Sequence, residues 1–302
     1  MLEKDKYYYS EIFHSIQGEG HYTGVPTAWI RFFMCNLQCN GFGQKDPTNP
    51  ETYELPFMEY DLIDVKRVED LPVWEKGCDS SYTWAKRYKH LMGHKTVPEL
   101  CDEIQKAITT DSNPDGKFLH PVSGIKQHLC FTGGEPLMKH QQPAIEGILD
   151  TFKRRRNNPG GITFETNGTQ PLSNSLHNYL SDYGNTCEVF FSVSPKLWTV
   201  AGEKAKRAIK PDIIASYASV LESQGQLKFV VGNVDEQWDE MEDVVQQCRD
   251  AGCDWPVWIM PVGAREEEQS ATAGEVAERA FKRGYNVAAR VHVYLFGNQI
   301  GT

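Results

Sequence analysis

The sequence predicts an α/β protein built on a parallel sheet, and three observations predict it. Apolar runs of strand length alternate with helical patterns, several strands end in glycine, proline or small hydroxylated residues, and the apolar content suffices for a large core. In chain order the strand-like runs are "TAWIRFF" (27–33), "QHLCFTGG" (127–134), "GITFETNG" (161–168), "EVFFSVSP" (188–195), "QLKFVVGN" (226–233), "PVWIMPVG" (256–263) and "NVAARVHVYLF" (286–296). Helical patterns stand between them: "VPELCDEIQKAI" (97–108), "QPAIEGILDTFKRRR" (142–156), "EQWDEMEDVVQQCRDAG" (236–252) and "GEVAERAFKRG" (274–284). Alternation of this kind lays strands parallel and covers them with helices. The strand ends "TGGEP", "ETNGT", "SVSPK" and "MPVG" let backbone approach a ligand closely, at the sheet edge where such folds place their sites.

The 302 residues, 40% of them apolar, are enough for one large domain or two modest ones. A formal charge of -10, from 41 acidic against 31 basic residues, gives no global attraction to nucleic acid or anionic lipid. No run approaches the roughly 20 apolar residues of a membrane span, and "MLEKDKYYYSEIF" has no signal-peptide core, so the expectation is a cytoplasmic protein with no membrane and no nucleic-acid partner. The basic run 153–156 ends an amphipathic helix, where cations suit the helix dipole.

Eight cysteines in such a chain are buried small hydrophobes or thiolate ligands rather than disulfides. Cys101, Cys130 and Cys248 sit in helix or strand patterns as core residues, and Cys187 and Cys253 carry no ligand spacing. Cys35 and Cys39 are different, paired four apart at the end of an apolar run, with Phe42 where a third cysteine would follow. The polar, acidic and turn-rich residues 40–77 look inserted, and Cys78 comes directly after them. Lengthening a loop costs only about 0.6 kcal/mol per doubling, so an insertion is no obstacle to Cys78 joining the pair. Three cysteines fit a 4Fe-4S cluster with one open iron, and by spacing alone zinc remains open as well.

Taken together, "SIQGEG" (15–20), "WIRFFMCNLQC" (29–39), "CDSSYTW" (78–84), "TGGEP" (132–136), "ETNGT" (165–169), "SVSPK" (192–196) and "LKFVV" (227–231) resemble, in this order, the radical S-adenosylmethionine enzymes of the 7-carboxy-7-deazaguanine synthase family. The chain departs from that pattern in deferring the last cluster cysteine to Cys78. The resemblance implies one radical S-adenosylmethionine domain over residues 1–302, interrupted at about 40–77, folded as a partial (β/α) barrel of about six parallel strands and often dimeric. It implies the conversion of 6-carboxy-5,6,7,8-tetrahydropterin to 7-carboxy-7-deazaguanine on the route to queuosine-type deazapurines. A 4Fe-4S cluster on Cys35, Cys39 and Cys78 would cleave S-adenosylmethionine, with an electron donor such as flavodoxin or ferredoxin. Gly133, Gly134 and Glu135 would hold the methionine amino group, and Thr166, Asn167, Ser192 and Ser194 the methionine and ribose portions.

Ser80 would take Mg2+, unless it only caps the segment that follows it. Gln17 and Glu19 offer an amide and a carboxylate to a pterin edge, with Gly18 and Gly20 allowing close approach, and Arg31 is a fork for a carboxylate. His292 could reach the site from the last strand or be a core residue, and His14 has the same standing. Two alternatives stay open: another radical reaction on the same scaffold, such as activation of a glycyl-radical enzyme, and a zinc-stabilised binding module.

Overall fold

A computed structural model describes residues 5–297 and 299–301. Its strands are β1 (Lys6–Ile16), β2 (Pro26–Phe32), β3 (Gly93–Thr96), β4 (His128–Gly133), β5 (Gly161–Thr166), β6 (Glu188–Val193), β7 (Ser223–Val231), β8 (Val257–Pro261) and β9 (Asn286–Val287). They form one nine-stranded sheet in the order β3-β1-β2-β4-β5-β6-β7-β8-β9. From β2 to β9 every pairing is parallel, while β1 pairs antiparallel with both β2 and β3. The fold is therefore α/β with a large, mostly parallel sheet. Six strands undercount it, because β1 and β3 extend the sheet and β9 adds a short edge. Among the described residues no ladder joins the edge strands β3 and β9.

Side chains alternate across each strand, and the two faces separate by chemistry. Outward, Phe131 lies opposite Phe164 and Phe164 opposite Phe191, and their rings stack at centroid distances of 5.4 and 5.0 Å. Phe32 and Tyr217 continue the stack at its two ends, at 6.3 and 4.9 Å. Burying each such ring is worth about 1.5–3 kcal/mol, so this ladder under the helices is a main source of stability. Inward, β2 and β4–β7 carry Arg31, Thr132, Glu165, Ser192, Gln226 and Lys228, and Arg31, Thr132, Glu165 and Lys228 reach a cavity whose wall also holds Phe13, Trp29 and Leu37.

The helices dock by their apolar stripes. Val97–Ala107 starts at a capping box between Thr96 and Glu99 with a proline in its first turn, and buries Leu100, Cys101 and Ile104. Cys101 and Cys248 belong to the main core and Cys130 is fully buried in β4. Two further helices, Asn174–Tyr183 and Pro211–Ala218, lie in stretches whose mixed composition carried no clear period. The last expected strand is corrected. Only Asn286–Val287 is strand, and Val291–Phe296 is a short helix ended by Gly297 in the left-handed region. A continuous apolar run does not distinguish the two by period. No helix of the described residues is long and apolar enough to cross a membrane.

Residues 40–77 contain only short helical turns but build a second core from Phe57, Val65, Val68, Leu71 and Trp74. That core continues into Tyr82, Ala85 and Tyr88, so this second packing unit reaches past Cys78. Its two ends meet where the Gly77 amide donates to the Phe42 carbonyl at 2.8 Å. Gly43 turns with φ +67 against the Glu75 carbonyl, a position with no room for a Cβ.

Candidate active site

The cavity, about 660 Å3, opens at the carboxyl ends of β2 and β4–β8. It is built from β2 and β4 outward. Their parallel register places Phe32 beside Gly133, and the Gly134 and Glu135 amides donate to the Phe32 and Met34 carbonyls at 3.3 and 2.9 Å. This zips the glycine turn to the start of the cysteine loop. A Cβ on Gly134 would lie 2.7 Å from the Cys35 Cβ, so only glycine allows the approach. Met34 and Cys39 both take positive φ, at 90° and 53°, a strained conformation for side-chain-bearing residues that marks a built loop.

Cys35, Cys39 and Cys78 are free thiols, and all three line this cavity. The ends of the segment 42–77, joined at Phe42 and Gly77, carry Cys78 back to the pair. The Met34 amide donates to the Thr83 carbonyl at 2.6 Å and locks the segment after Cys78 to the loop before Cys35. Burial pushes the Cys35 thiol up to about 12 and raises those of Cys39 and Cys78, despite Lys196 beside the first two. Three thiolates here therefore need a cationic group between them. Among the described residues no three His, Cys, Asp or Glu side chains converge closely enough to bind a single metal ion. Cys35, Cys39 and Cys78 line one cavity, and beyond burial Cys78 raises the thiol pKa of the other two, so as thiolates they would take the positive charge of a cluster with one open iron. The residues present fit that group.

Of the other expected site residues, Gln17, Gly18, Glu19, Arg31, Ser80, Gly133, Gly134, Thr166, Asn167, Ser194 and His292 also line the cavity. Asn167 Nδ2 lies 3.9 Å from Cys35 Sγ and donates to Asn36 at 3.1 Å. Glu135 and Ser192 are absent from the wall. The Glu135 carboxylate is fully buried and accepts from the Leu137 amide (2.9 Å), the Thr166 hydroxyl (2.8 Å) and the Asn167 amide (2.8 Å). Burial raises its pKa to about 7 even so. Its visible work is to hold the "TGGEP" and "ETNGT" turns together. Ser192 accepts from Gln226 deeper in the sheet, at 2.9 Å. Ser80 Oγ stands 3.5 Å from Cys78 Sγ and makes no capping bond to the turn it begins.

Charge pairing dominates the opposite wall. Lys228 Nζ donates to Glu19 at 2.6 Å and to Glu165 at 2.8 Å, with its side chain 3% exposed. Arg290 bonds Glu19 at 3.0 Å and Asp79 at 2.8 Å. Burial alone would raise the Glu19 pKa, but Lys228 and Arg290 outweigh it and hold Glu19 ionised. Gln17 donates to Glu165 at 3.1 Å and accepts the Glu19 amide at 3.1 Å, so both are fixed before any ligand arrives. His292 comes from the terminal helix, not a strand, and packs so tightly on Gly18 that no Cβ fits there. Burial drives its pKa down to about 4, which leaves it neutral.

Arg31 Nε donates to Glu11 at 2.5 Å, and Tyr82 donates to the same oxygen at 2.8 Å. Among the described residues its two terminal nitrogens make no hydrogen bond, so part of the fork remains available to the cavity. Sequence reasoning missed Lys228, Glu165, Arg290 and Lys196 as members of the site. The signal was present for Lys228 and Glu165, each a lone charge inside an apolar strand run.

No protein-family model matches the chain. It is similar to curated proteins named 7-carboxy-7-deazaguanine synthase along nearly its whole length. That of Rhodopirellula baltica is 27% identical over 97% of this chain and 88% of its own. That of Pyrobaculum aerophilum is 25% identical over 96% and 95%, and that of Halobacterium salinarum 26% over 96% and 90%. The crystal structure of QueE from Escherichia coli aligns over 95% of both chains at 18% identity with a TM-score of 0.47, too loose a likeness to argue from.

Proposed function

We propose that this chain is a 7-carboxy-7-deazaguanine synthase, contracting the ring of 6-carboxy-5,6,7,8-tetrahydropterin to 7-carboxy-7-deazaguanine with loss of ammonia. The observation that carries the reading is the convergence of Cys35, Cys39 and Cys78 on one cavity with a prearranged Gln17–Glu19 edge and the Arg31 fork. When bound, a 4Fe-4S cluster supplies the electron that starts radical chemistry on S-adenosylmethionine. The protein's own residues do the rest of the positioning. Gly133 and Gly134 give a backbone cradle for an amino acid moiety, and Thr166, Asn167 and Ser194 line its path. Glu19, held ionised by Lys228 and Arg290, accepts N–H donors of a pterin, and Arg31 receives its carboxylate.

Ser80, which lines the cavity and makes no capping bond, supplies the oxygen we assign to Mg2+. Residues 20–22 pack across the amino-terminal ends of β4, β6 and β8, where Tyr22 meets His128 and Phe190 and His21 meets Trp258, and so floor the sheet opposite the cavity's opening in the part of a partial barrel. An outside reductant of the flavodoxin or ferredoxin class completes the cycle.

Anaerobically reconstituted protein, incubated with S-adenosylmethionine, a reductant and 6-carboxy-tetrahydropterin, should yield the deazapurine and one ammonia per turnover by mass analysis. Cleavage of S-adenosylmethionine without that product would place the chain in another radical reaction. Protein that takes up zinc but no iron or sulfide would return the reading to a binding module.

A further inference from the structure

The turn after Cys78 is wound by successive hydrogen bonds: the Ser81 amide donates to the Cys78 carbonyl at 3.1 Å, Thr83 to Ser80 at 2.9 Å and Trp84 to Ser81 at 3.1 Å. This winding brings the Trp84 side chain into the cavity wall together with Cys78 and Ser80. Phe57, from the segment before Cys78, braces the indole in an edge contact at 5.7 Å. The indole Nε1–H is buried and makes no hydrogen bond among the described residues. A buried donor left without an acceptor is costly, and each one in a native fold asks for a reason. For Trp84 the reason is the Cys78 sulfur. Burial and then Asp79 raise the Cys78 thiol pKa, while the Ser80 hydroxyl, 3.5 Å from the sulfur, and the Trp84 side chain act against them as donors. A protonated thiol is a weak acceptor and leaves the indole unpaired, whereas a thiolate is a strong one. Trp74 also has a buried, unpartnered Nε1, but it meets Tyr60 inside the second core and does not line the cavity.

We propose that the Trp84 indole N–H donates to the Cys78 sulfur of the bound cluster and eases its reduction. The inference rests on the cluster reading of the cavity. Reduction takes one electron from an outside reductant into the cluster, with no bond made or broken. The added negative charge reaches the ligating sulfurs, so a donor aimed at one of them holds the reduced form more strongly and raises the potential. Cys35 has donors of its own, the Leu37 amide at 3.4 Å and Asn167 at 3.9 Å. Trp84 does the same for the ligand that a long segment brings in.

The test uses anaerobically reconstituted protein, with W84F as the variant and W74F as the control, which makes the same change in the same core away from the cavity. Iron content is measured first. The ratio of reduced to oxidised cluster is then read by EPR at one fixed solution potential, near the wild-type midpoint. In W84F with its full iron this ratio should be about three- to tenfold below wild type, the scale of one hydrogen bond, while W74F should match wild type. An unchanged ratio in W84F would overturn the hydrogen bond and leave the active-site reading intact. So would a higher ratio, the mark of water entering past the smaller ring, or an equal drop in W74F. Where W84F assembles no cluster, pulsed EPR of the reduced cluster decides, in protein whose indole nitrogens carry 15N. The label is read in wild type and in W29F, since Trp29 is the other indole of the cavity wall among the described residues. A coupling seen in wild type and kept in W29F belongs to Trp84; no coupling, or one lost in W29F, overturns the proposal. Wild-type protein that assembles no cluster would overturn both readings.

Discussion

At the scale of single residues, the structure changes how two side chains are to be tested. Arg31 pairs with Glu11, whose side chain is 3% exposed, so removing the arginine strands a buried carboxylate. R31A would therefore lose stability and recognition together, whereas R31K keeps a cation opposite Glu11 and discards only the planar fork. R31K should weaken substrate binding by about 1.5–3 kcal/mol, the range for a charge-assisted hydrogen bond, with the unfolding temperature little changed. An unchanged KM in R31K would take Arg31 out of substrate recognition. For His292, burial depresses the folded pKa from 6.5 to about 4. Between these values the unfolded chain binds the proton and the folded one does not, so stability must fall as pH drops through this window. The contribution is at most about 3 kcal/mol, present in full above pH 6.5 and lost below pH 4. H292N should flatten that part of the stability profile in denaturant unfolding at pH 7 and pH 5. A profile unchanged in slope would show that the ring already carries its proton in the fold.

At the scale of elements, the Cys35–Cys39 loop is held by contacts distant in sequence. The Gln38 and Cys39 amides point at Glu203, which follows the short helix Trp198–Ala201. Hydrogen bonds of this kind fix a thiolate loop and withhold its amides from the sulfur atoms, which tunes a cluster. E203A leaves two amides without an acceptor and Cys39 unsupported in its left-handed conformation, a local cost of about 1–3 kcal/mol. Alkylation of Cys39 in the apoprotein should then speed up several-fold and iron content after reconstitution should drop, with E203Q between E203A and wild type. Alkylation at the wild-type rate in E203A would mean the loop stands without Glu203. None of this anchor was legible in the sequence, because "GEK" reads as a surface turn. β2 and β4 to β8 were legible, since their apolar runs match the helix-covered face that the phenylalanine ladder fills, whereas the short polar β3 left no trace. β1 was not: along "KYYYSEIFHSI" most residues are only half-buried, and neither alternation nor a continuous apolar run marks it. The terminal run 286–296 was misread because helix and strand leave the same trace in so short an apolar stretch.

At the scale of the whole molecule, one buried charge network ties together parts of the chain that folding alone brings near: Glu19 after β1, Asp79 after the insertion, Lys228 in β7 and Arg290 before the last helix. The cysteine pair and the glycine-rich strand ends could be read from local sequence because their chemistry is local. The network could not, since a lone arginine or aspartate gains meaning only when topology supplies its partner. Arg290 joins the loop that delivers Cys78 to the loop that carries Glu19, and it also donates to the Gly263 carbonyl at 3.2 Å. It is thus the clamp by which the segment before the last helix closes the site. R290M leaves Asp79 with only the more distant Arg31 as a counter-charge and Glu19 with Lys228 alone. The Asp79 side chain is 40% exposed, so water screens the charge left behind and the loss is about 1–3 kcal/mol, below the 3–5 kcal/mol of a fully buried pair. For a chain of this size that lowers the unfolding temperature by about 2–4 °C per kcal/mol. D79N/R290M removes the stranded charge as well, and should recover about 0.5–3 kcal/mol relative to the sum of the two single losses. Both proteins should be followed by thermal unfolding and by iron content, because a clamp acts on the Cys78 loop as well as on stability. If the losses of D79N and R290M simply add, the two side chains do not act as a pair, and the last helix closes the site by packing on Gly18 alone.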